Sequence, residues 1–404
     1  MARAAPQSAA VNRIYLDFAA TTPLRSEVLE AMLPYFSEVA HNPSSLHGEG
    51  RRARAALDGA RERVATLLGA RPREVIFTGG GSEADNLAIL GVARARRARH
   101  VVTAANEHHA VLHAFDRLRE DGVDVTILPV DSEGRVAPEA FAAALRDETA
   151  FASIALANNE YGTVNPIAQL AALAHARDVV FHSDAVQAPG MLELDLAKLG
   201  VDLLSLSAHK FYGPKGVGAL YVRAGTPLAA QMLGGGQEAG LRAGTENVAG
   251  AVGFARAFEL ALGEMPATPR RIGGLRDRLL EGLLARIPQS ALNGPRAPRL
   301  PNNLNLGIEG VDGPTVAIRL DLEGVAASNG SACNAGAAQV SHAVIALGER
   351  AAARASIRFS LGRASNEQEV GRVLDVLPEI VAELREGNLS VGRNEGGPLG
   401  RSDC

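Results

Sequence analysis

Lysine is the rarest basic residue in this chain of 404 residues. Of its 41 lysines and arginines, only Lys198, Lys210 and Lys215 are lysine. A lysine amine can lose its proton in a protein whereas an arginine guanidinium cannot, so a lysine retained among arginines is a candidate for covalent amine chemistry. Lys210 fits this role best, because it follows the apolar run 203–206 among hydroxyls and a histidine. We predict that Lys198 is an exposed helix residue and Lys215 a turn residue.

Polar side chains follow several other apolar runs. Asp184 ends one such run, and a buried carboxylate is costly unless it is paired, so we expect a cationic partner for it. The glycines at 79–81 followed by Ser82 could hold a phosphate at a helix N-terminus, although a plain turn with a serine N-cap explains them equally well. His108 and Asn159 also follow runs, where a structural histidine and a turn-forming asparagine are the simpler interpretations.

These groups together indicate pyridoxal phosphate. Ligands of an open α/β sheet bind outside the carboxyl ends of its strands, where all of these side chains are expected. There a lysine forms the Schiff base with the cofactor, a hydroxyl-rich loop holds its phosphate, and an aspartate keeps its pyridine nitrogen protonated.

The elements that must position these residues follow from hydrophobic patterning. Between residues 74 and 222, short β-branched runs alternate with alanine-rich amphipathic segments, which is typical of a mostly parallel sheet covered by helices. The predicted strands are 75–78, 100–104, 123–130, 151–156, 179–183, 203–206 and 217–222. The predicted helices are 26–39, 49–69, 82–97, 107–120, 138–146 and 166–177.

The second half of the chain begins with the glycine-rich segment 232–250, which we interpret as an ordered functional loop. A helix at 247–263 and a proline-containing boundary at 266–269 follow. Beyond them, helices at 271–286, 313–321 and 366–386 and strands at 304–308 and 356–360 predict an α+β region. The predicted organisation is a large domain at 26–261, a smaller α+β domain from 14–25 and 262–386, a flexible tail at 1–13 and a disordered tail at 387–404.

Composition excludes several classes of protein. Two cysteines cannot form a disulfide framework, and their scarcity favours a reducing compartment. The net charge of −4 is spread along the chain, so we expect neither nucleic acid nor an anionic membrane as a partner. The chain has no run of eighteen apolar residues, and its first residues lack the apolar core of a secretory signal. We therefore expect a cytoplasmic protein, with no metal site.

Ordered motifs along most of the chain resemble the cysteine desulfurases of the NifS and IscS type, relatives of the class V aminotransferases with the pyridoxal phosphate fold type I. They occur at 15–17, 19–22, 42–45, 77–86, 107–108, 158–160, 184–187, 207–210, 234–247, 330–333 and 356–363. Such a resemblance implies an α/β fold, with a large domain built on a mostly parallel seven-stranded sheet and a smaller α+β domain. It also implies a homodimer.

The resemblance also implies residue roles. Lys210 would hold the cofactor, His108 would stack on its ring and move protons, and Asp184 would pair with the pyridine nitrogen. Gln187 would bond the phenolic oxygen, while Asn159 and Arg358 would bind the substrate carboxylate, with Asn159 also touching the cofactor. The phosphate would be held by Gly81, Ser82, Ser207, His209 and, from the other subunit, Thr245.

Cys333 is the candidate sulfur carrier. A lone cysteine is more often a small buried hydrophobe, but 328–336 is rich in glycine, serine, asparagine and alanine without a helix or strand pattern, which predicts a mobile, accessible thiol. The resemblance implies that L-cysteine becomes L-alanine and that Cys333 carries the sulfur as a persulfide to an acceptor protein such as an iron-sulfur scaffold. Cys404 in the C-terminal tail is expected to be a bystander.

Two alternatives remain at this point. One is another pyridoxal phosphate reaction on the same fold, such as selenocysteine cleavage, cysteine sulfinate chemistry or transamination. The other is a sulfur-assembly subunit that has lost its cofactor, against which the presence of Lys210, Asp184 and His108 together argues. The glycine-rich C-terminal tail also differs from the tail by which IscS-type proteins meet their scaffold.

Overall fold

A computed structural model describes residues 13–330 and 340–394 of the chain. Its strands are β1 Ile14–Tyr15, β2 Val75–Thr78, β3 His100–Ala104, β4 Asp124–Leu128, β5 Thr149–Ser153, β6 Val180–Asp184, β7 Leu203–Ser207, β8 Gly218–Val222, β9 Ser290–Leu292, β10 Asn303–Ile308, β11 Val325–Ala326 and β12 Ala355–Ser360. Its α-helices are α1 Ser26–Met32, α2 Pro34–Ser37, α3 Gly48–Leu68, α4 Gly81–Arg96, α5 His109–Glu120, α6 Pro138–Ala144, α7 Ile167–His175, α8 Leu196–Leu199, α9 Val248–Gly263, α10 Ala267–Arg286, α11 Gly313–Leu322, α12 His342–Ala346, α13 Glu349–Ala352 and α14 Glu367–Asn394.

Seven strands form the central sheet, in the order β2-β8-β7-β6-β5-β3-β4. Strand β8 runs antiparallel to both of its neighbours, and the other six strands run in one direction. The mostly parallel seven-stranded sheet predicted from the sequence is therefore confirmed.

Helices cover both faces of this sheet, which is why its strands are rich in apolar residues. Alternate residues of one strand enter different cores: Val75 and Phe77 of β2 belong to one hydrophobic cluster, and Ile76 belongs to another. Because side chains alternate across a strand, a strand buried on both faces is apolar at most positions rather than at every second one. Polar residues inside these strands need partners, as His182 and Ser205 show: both are buried, and Nε2 of His182 lies 2.9 Å from the Ser205 hydroxyl oxygen.

The second core surrounds a three-stranded antiparallel sheet, β12-β10-β9, packed against α10, α11 and α14. The parallel pair of β1 and β11 brings the beginning of the chain to this core, where Leu16 is fully buried. Sequence patterning identified β10 and β12 but missed β1, β9 and β11, which are too short for a period to be recognised. The domain boundaries given above stay a prediction.

Three helices differ from their predicted bounds by more than two residues. The helix expected at 26–39 is divided into α1 and α2, because Pro34 lacks the N–H needed in a helix interior and starts a new first turn instead. Helix α10 begins at Ala267 rather than at 271. Helix α14 ends at Asn394 rather than at 386, so the expectation of disorder is wrong for 387–394.

None of the helices in the described part of the chain is long and apolar enough to cross a membrane.

Candidate active site

A cavity of about 250 Å³ opens at the carboxyl ends of the parallel strands. Because these strands run in one direction, residues that follow them meet at a single edge of the sheet. Ten residues predicted for the site line this cavity: Gly81, Ser82, His108, Asn159, Asp184, Gln187, Ser207, His209, Lys210 and Arg358. Cys333 lies outside the described residues.

Lys210 ends a short 3-10 turn that directly follows β7. Its Nζ donates hydrogen bonds to the carbonyl oxygens of Ala19 and Ala20, at 2.6 and 2.8 Å. Both acceptors belong to the segment that leaves β1, so the beginning of the chain holds the amine in place at the cavity wall.

His108 is the N-cap of α5, and its Nδ1 accepts a hydrogen bond from the amide of Ala110 at 3.1 Å. Burial, with a further contribution from the positive charge of Lys210, lowers the pKa of His108 to about 4. The imidazole is therefore neutral near pH 7, which suits it to lie against an aromatic ring and to accept a proton.

Asp184 ends β6 and lines the cavity. Its Oδ1 accepts a hydrogen bond from the amide of Val186 at 2.8 Å. Burial raises the pKa of Asp184 to about 6, although that amide and the charge of Lys210 act in the opposite direction. A bound cationic nitrogen would restore the ionised form. Gln187 lies nearby and donates from Nε2 to the carbonyl oxygen of Ala19 at 3.1 Å.

The glycines after β2 form a narrow cup at the N-terminus of α4. A Cβ atom on Gly81 would lie 2.8 Å from Cγ2 of Val186 and 3.3 Å from Cβ of Ser207, so only glycine fits there. First-turn amides of a helix have no intrahelical acceptor and attract anions. Thr245 is exposed and does not line the cavity of its own chain.

His209 lies beside this cup, where its Nδ1 is 3.1 Å from the Thr21 hydroxyl oxygen. Burial, with a contribution from Lys210, lowers the pKa of His209 to about 4. The ring is therefore neutral, with one nitrogen able to donate a hydrogen bond.

Arg358 approaches the cavity from β12 and is only 1% exposed. Its Nη2 donates to Oδ1 of Asp17 at 2.7 Å, and its Nη1 donates to the carbonyl oxygen of Asn159 at 3.1 Å. Its Nε is buried and has no hydrogen-bond partner among the described residues. Because Arg358 lines the cavity and a guanidinium fork matches a carboxylate, this side chain is a candidate for binding a small carboxylate there.

The residues present fit pyridoxal phosphate. The cup at Gly81 can accept a phosphate, the buried carboxylate of Asp184 matches a protonated pyridine nitrogen, and Lys210 offers an amine on the same cavity wall.

Two acidic residues at the cavity were not identified from the sequence. Asp17 pairs with Arg358 across 341 positions of the chain, and nothing local in the sequence signals this contact. Asp85 lines the cavity from the second turn of α4. Its position one turn after Ser82, on the apolar face of a helix, was the signal available for it.

The segment that contains Cys333 is anchored beside the cavity at both of its described ends. On one side, Ser328 and Arg358 exchange backbone hydrogen bonds of 3.1 and 2.6 Å. On the other side, Ser341 donates its hydroxyl to the buried Glu160 at 2.6 Å. Cys333 is the third residue after Gly330, and three extended residues span at most about 10 Å.

Comparison with known proteins identifies the family of this chain. Residues 14–373 match the Aminotransferase class-V family. The chain is 46% identical over 379 residues to cysteine desulfurase IscS of Clostridium botulinum strain Hall, covering 93% of this chain and 96% of the relative. A solved NifS-like protein superposes with a TM-score of 0.86 at 37% identity, covering 92% of this chain and all of the other. The structure of SspA in complex with cysteine gives a TM-score of 0.76 at 37% identity, covering 86% and 98%.

Proposed function

The chain belongs to the class-V aminotransferase family, and from that membership we propose how its cavity removes sulfur from L-cysteine. The protein is a pyridoxal phosphate-dependent cysteine desulfurase. The observation that carries the assignment of residues is the convergence of Lys210, Asp184 and Arg358 on one cavity.

Substrate binding is the task of Arg358 and Asn159. Arg358 is already oriented by Asp17 and by the Asn159 carbonyl, and its unpartnered Nε faces no competing acceptor. The carboxylate of L-cysteine replaces water at this guanidinium and gains charge-assisted hydrogen bonds. The amino group of the substrate is then held on the side of the cavity where Lys210 lies.

Cofactor binding is the task of residues at the ends of three strands, β2, β6 and β7. Lys210 would form the covalent attachment, Asp184 would hold the pyridine nitrogen, and Gln187 would bond the phenolic oxygen. Gly81, Ser82, Ser207 and His209 would hold the phosphate. When bound, the cofactor supplies an electron-accepting ring that stabilises negative charge on the α-carbon of the substrate.

Proton transfer is the task of Lys210 and His108. The amino group of the substrate would first replace Nζ of Lys210 in its covalent attachment. The freed Nζ would then remove the α-proton, and the carbonyl oxygens of Ala19 and Ala20 would hold the resulting ammonium group in position. His108 is neutral near pH 7 and lies against the same cavity, so it can take up and return protons while the sulfur leaves.

Sulfur transfer is the task of Cys333. Its thiolate would attack the sulfur of the substrate, forming a sulfur–sulfur bond while the carbon–sulfur bond breaks and leaves its electron pair on the β-carbon side. L-Alanine would leave after the β-carbon has gained a proton and the α-carbon has regained the one it lost. The anchoring of Ser328 at Arg358 and of Ser341 at Glu160 supports this role, because it keeps both described ends of the segment near the substrate subsite. The persulfide then passes to an acceptor protein such as an iron-sulfur scaffold.

A homodimer is part of the same proposal. Large apolar side chains are exposed on α1, α2 and the segment after them, namely those of Leu29, Leu33, Phe36 and Leu46. Met232 and Leu233, in the loop that precedes Thr245, are exposed as well. An apolar surface of this kind marks an interface, and pairing of two chains there would let Thr245 reach the phosphate cup of the partner subunit. We also propose a cytoplasmic location, which the low cysteine content supports.

The direct test is to incubate the protein with L-cysteine and to locate a sulfur-mass adduct by intact mass and peptide mapping. We expect the adduct on Cys333. The variant Cys333→Ala should keep the absorbance of the bound cofactor and bind L-cysteine without forming a persulfide, while Cys404→Ala should behave like the parent protein. Full sulfur transfer by Cys333→Ala would show that the nucleophile is a different group.

A further inference from the structure

An acidic side chain, that of Glu83, stands beside the cup that is assigned to the cofactor phosphate. Glu83 lies in the first turn of α4 and lines a second, more open cavity of about 440 Å³. This second cavity shares Gly81, Ser82, Ser207 and His209 with the first. A carboxylate at this place repels an anion in the cup, so its presence needs an explanation.

Glu83 shapes the backbone of the cup. Its Oε2 accepts a hydrogen bond from the amide of Gly79 at 2.7 Å, which closes the turn between β2 and α4. A Cβ atom on Gly79 would lie 2.7 Å from the same oxygen, so the carboxyl group packs directly on this backbone. The Gly79 amide is thereby satisfied by the protein itself, while the first amides of α4 remain available to an anion.

Arg242 is the cation that is bound to this carboxylate. Its Nε donates to Oε1 of Glu83 at 2.9 Å, and its Nη2 donates to Oε2 at 3.4 Å. The side chains of Arg242 and Glu83 are 22% and 27% exposed, so water screens the pair only in part. The contact spans 159 positions of the chain and joins the glycine-rich loop to the cup of the same chain.

A buried ion pair fixes the loop that carries Arg242. Glu238 is 7% exposed, and its carboxylate accepts two hydrogen bonds from Arg61, at 2.6 and 2.7 Å, and one from the amide of Phe77 in β2 at 3.0 Å. Glu238 and Ala239 have φ values of 46° and 58°, a left-handed conformation that the surroundings of a non-glycine residue must hold in place. This anchor lies four residues before Arg242 and sets where its guanidinium can reach.

The remaining groups at the cup supply little positive charge. The ring of His209 is neutral, because burial and the charge of Lys210 lower its pKa to about 4. Among the described residues that line the second cavity, Glu83 and Lys215 carry the charges, and Lys215 is exposed to water. The charge balance at the cup therefore depends on whether Glu83 is neutralised.

We propose that Arg242 is a positioning residue of the phosphate cup, which cancels the charge of Glu83 so that Glu83 can hold the Gly79 backbone without repelling the phosphate. This inference rests on the proposed function, because the cup is assigned there to the cofactor phosphate. Arg242 acts through Glu83 and needs no contact with the cofactor. One loop then serves two cups of a dimer, with Arg242 at its own cup and Thr245 at that of the partner subunit.

The test compares the affinities of two aldehydes for the full chain stripped of cofactor, by absorbance titration. Pyridoxal phosphate and pyridoxal both react with Lys210, and only the first carries a phosphate, so the ratio of their affinities isolates the cup. In Arg242→Gln, the uncompensated Glu83 should weaken the affinity for pyridoxal phosphate about tenfold and change that for pyridoxal less than about twofold. An equal fall in both affinities, or no fall in either, would overturn the proposal.

A second variant separates the effect of charge from that of packing. Glu83→Gln can still accept a hydrogen bond from the Gly79 amide but has no charge to compensate. Combined with Arg242→Gln, it should restore the affinity for pyridoxal phosphate to within about threefold of the parent value. If the double variant binds pyridoxal phosphate as weakly as Arg242→Gln does, Arg242 acts through packing and the proposal is overturned.

Salt and a charge control complete the test. The loss in Arg242→Gln should shrink when the salt concentration rises from about 0.1 M to about 1 M, since the Debye length falls from about 10 Å to about 3 Å. A loss that does not change with salt would contradict an electrostatic role. Arg278→Gln removes an exposed arginine that is paired with Glu367 on α14, and it should bind both aldehydes as the parent protein does.

Failure of the proposed function is read from the parent protein alone. A parent that binds pyridoxal as tightly as pyridoxal phosphate would show that the cup does not hold the phosphate, and both conclusions would be overturned. If instead the parent prefers pyridoxal phosphate and Arg242→Gln keeps the same preference, only the role of Arg242 is wrong.

Discussion

Replacing Arg358 by glutamine tests the substrate subsite most directly. The change removes the positive charge and the planar fork while it keeps a polar side chain at the position. Arg358 is buried and bound to Asp17 and to the Asn159 carbonyl, so its guanidinium is held in one orientation before the substrate arrives. A group oriented in this way loses little entropy when it binds a carboxylate.

The expected magnitude follows from the hydrogen bonds that are lost. A hydrogen bond to a charged group contributes about 1.5–3 kcal/mol. Two such bonds between Arg358 and the cysteine carboxylate would contribute about 3–6 kcal/mol, which corresponds to a loss of about 10²- to 10⁴-fold in kcat/KM. The free energy of unfolding should fall by about 1–3 kcal/mol, because the Asp17 side chain is 20% exposed and water can partly replace its partner.

The assay measures alanine release over a range of L-cysteine concentrations, with the absorbance of the bound cofactor as a check that the site is loaded. Asp17→Asn is the matched control, since it removes the partner charge but keeps the guanidinium, and we expect its kcat/KM to change by less than about tenfold. A kcat/KM of Arg358→Gln within twofold of the parent value, with the cofactor bound, would refute the assignment of Arg358 to the substrate carboxylate.

Three further predictions follow from the same geometry. Gly81→Ala should weaken cofactor affinity and lower the free energy of unfolding by about 1–3 kcal/mol, because its Cβ would lie 2.8 Å from Cγ2 of Val186. An unchanged cofactor affinity in a fluorescence titration and an unchanged free energy of unfolding in a urea melt would contradict this close packing. His108 has a pKa lowered to about 4, so it remains neutral in the folded protein while the unfolded chain takes up a proton below about pH 6.5, and stability is lost as the pH falls. Between pH 6 and 4, the free energy of unfolding of the cofactor-free parent protein should therefore fall by up to about 1.4 kcal/mol per pH unit relative to that of His108→Asn in urea melts. If the free energies of unfolding of the two proteins changed with pH in parallel, this prediction would be wrong. Phe36→Glu, at an exposed apolar site on α2, should shift the protein toward monomer in sedimentation velocity, whereas Glu38→Gln on the same surface should not. An unchanged dimer in Phe36→Glu would mean that the interface lies elsewhere. A monomeric parent protein would mean that there is no dimer interface.

Much of the fold could be predicted because each strand of the central sheet is marked in the sequence by its own short run of apolar residues. Most of these strands are short runs rich in apolar residues and buried on both faces, and they are recognisable without knowledge of their partners. The short strands β1, β9 and β11 could not be recognised, since two or three residues carry no period. The end of α14 was misplaced because neither the low apolar content after residue 386 nor the glycine at 387 stops this helix.

The candidate site shows the same division. Lys210, Asp184 and His108 could be found because each follows a strand, and strand ends in an open α/β sheet meet at one edge. Asp17 and Asp85 were missed because their importance depends on partners that are distant in the chain, Arg358 and the Ser205–His182 pair.

The sequence by itself determined which side chains could do chemistry. One of only three lysines, Lys210, directly follows an apolar run, and glycine, carboxylate and histidine follow other runs in an order that resembles one family. Only the tertiary structure decided the charge and orientation of these groups. Burial makes His108 neutral and raises the pKa of Asp184, and a partner 341 residues away orients Arg358. The physical reason is that ionisation and hydrogen bonding depend on what surrounds a group in space, which a local pattern of residue types does not contain.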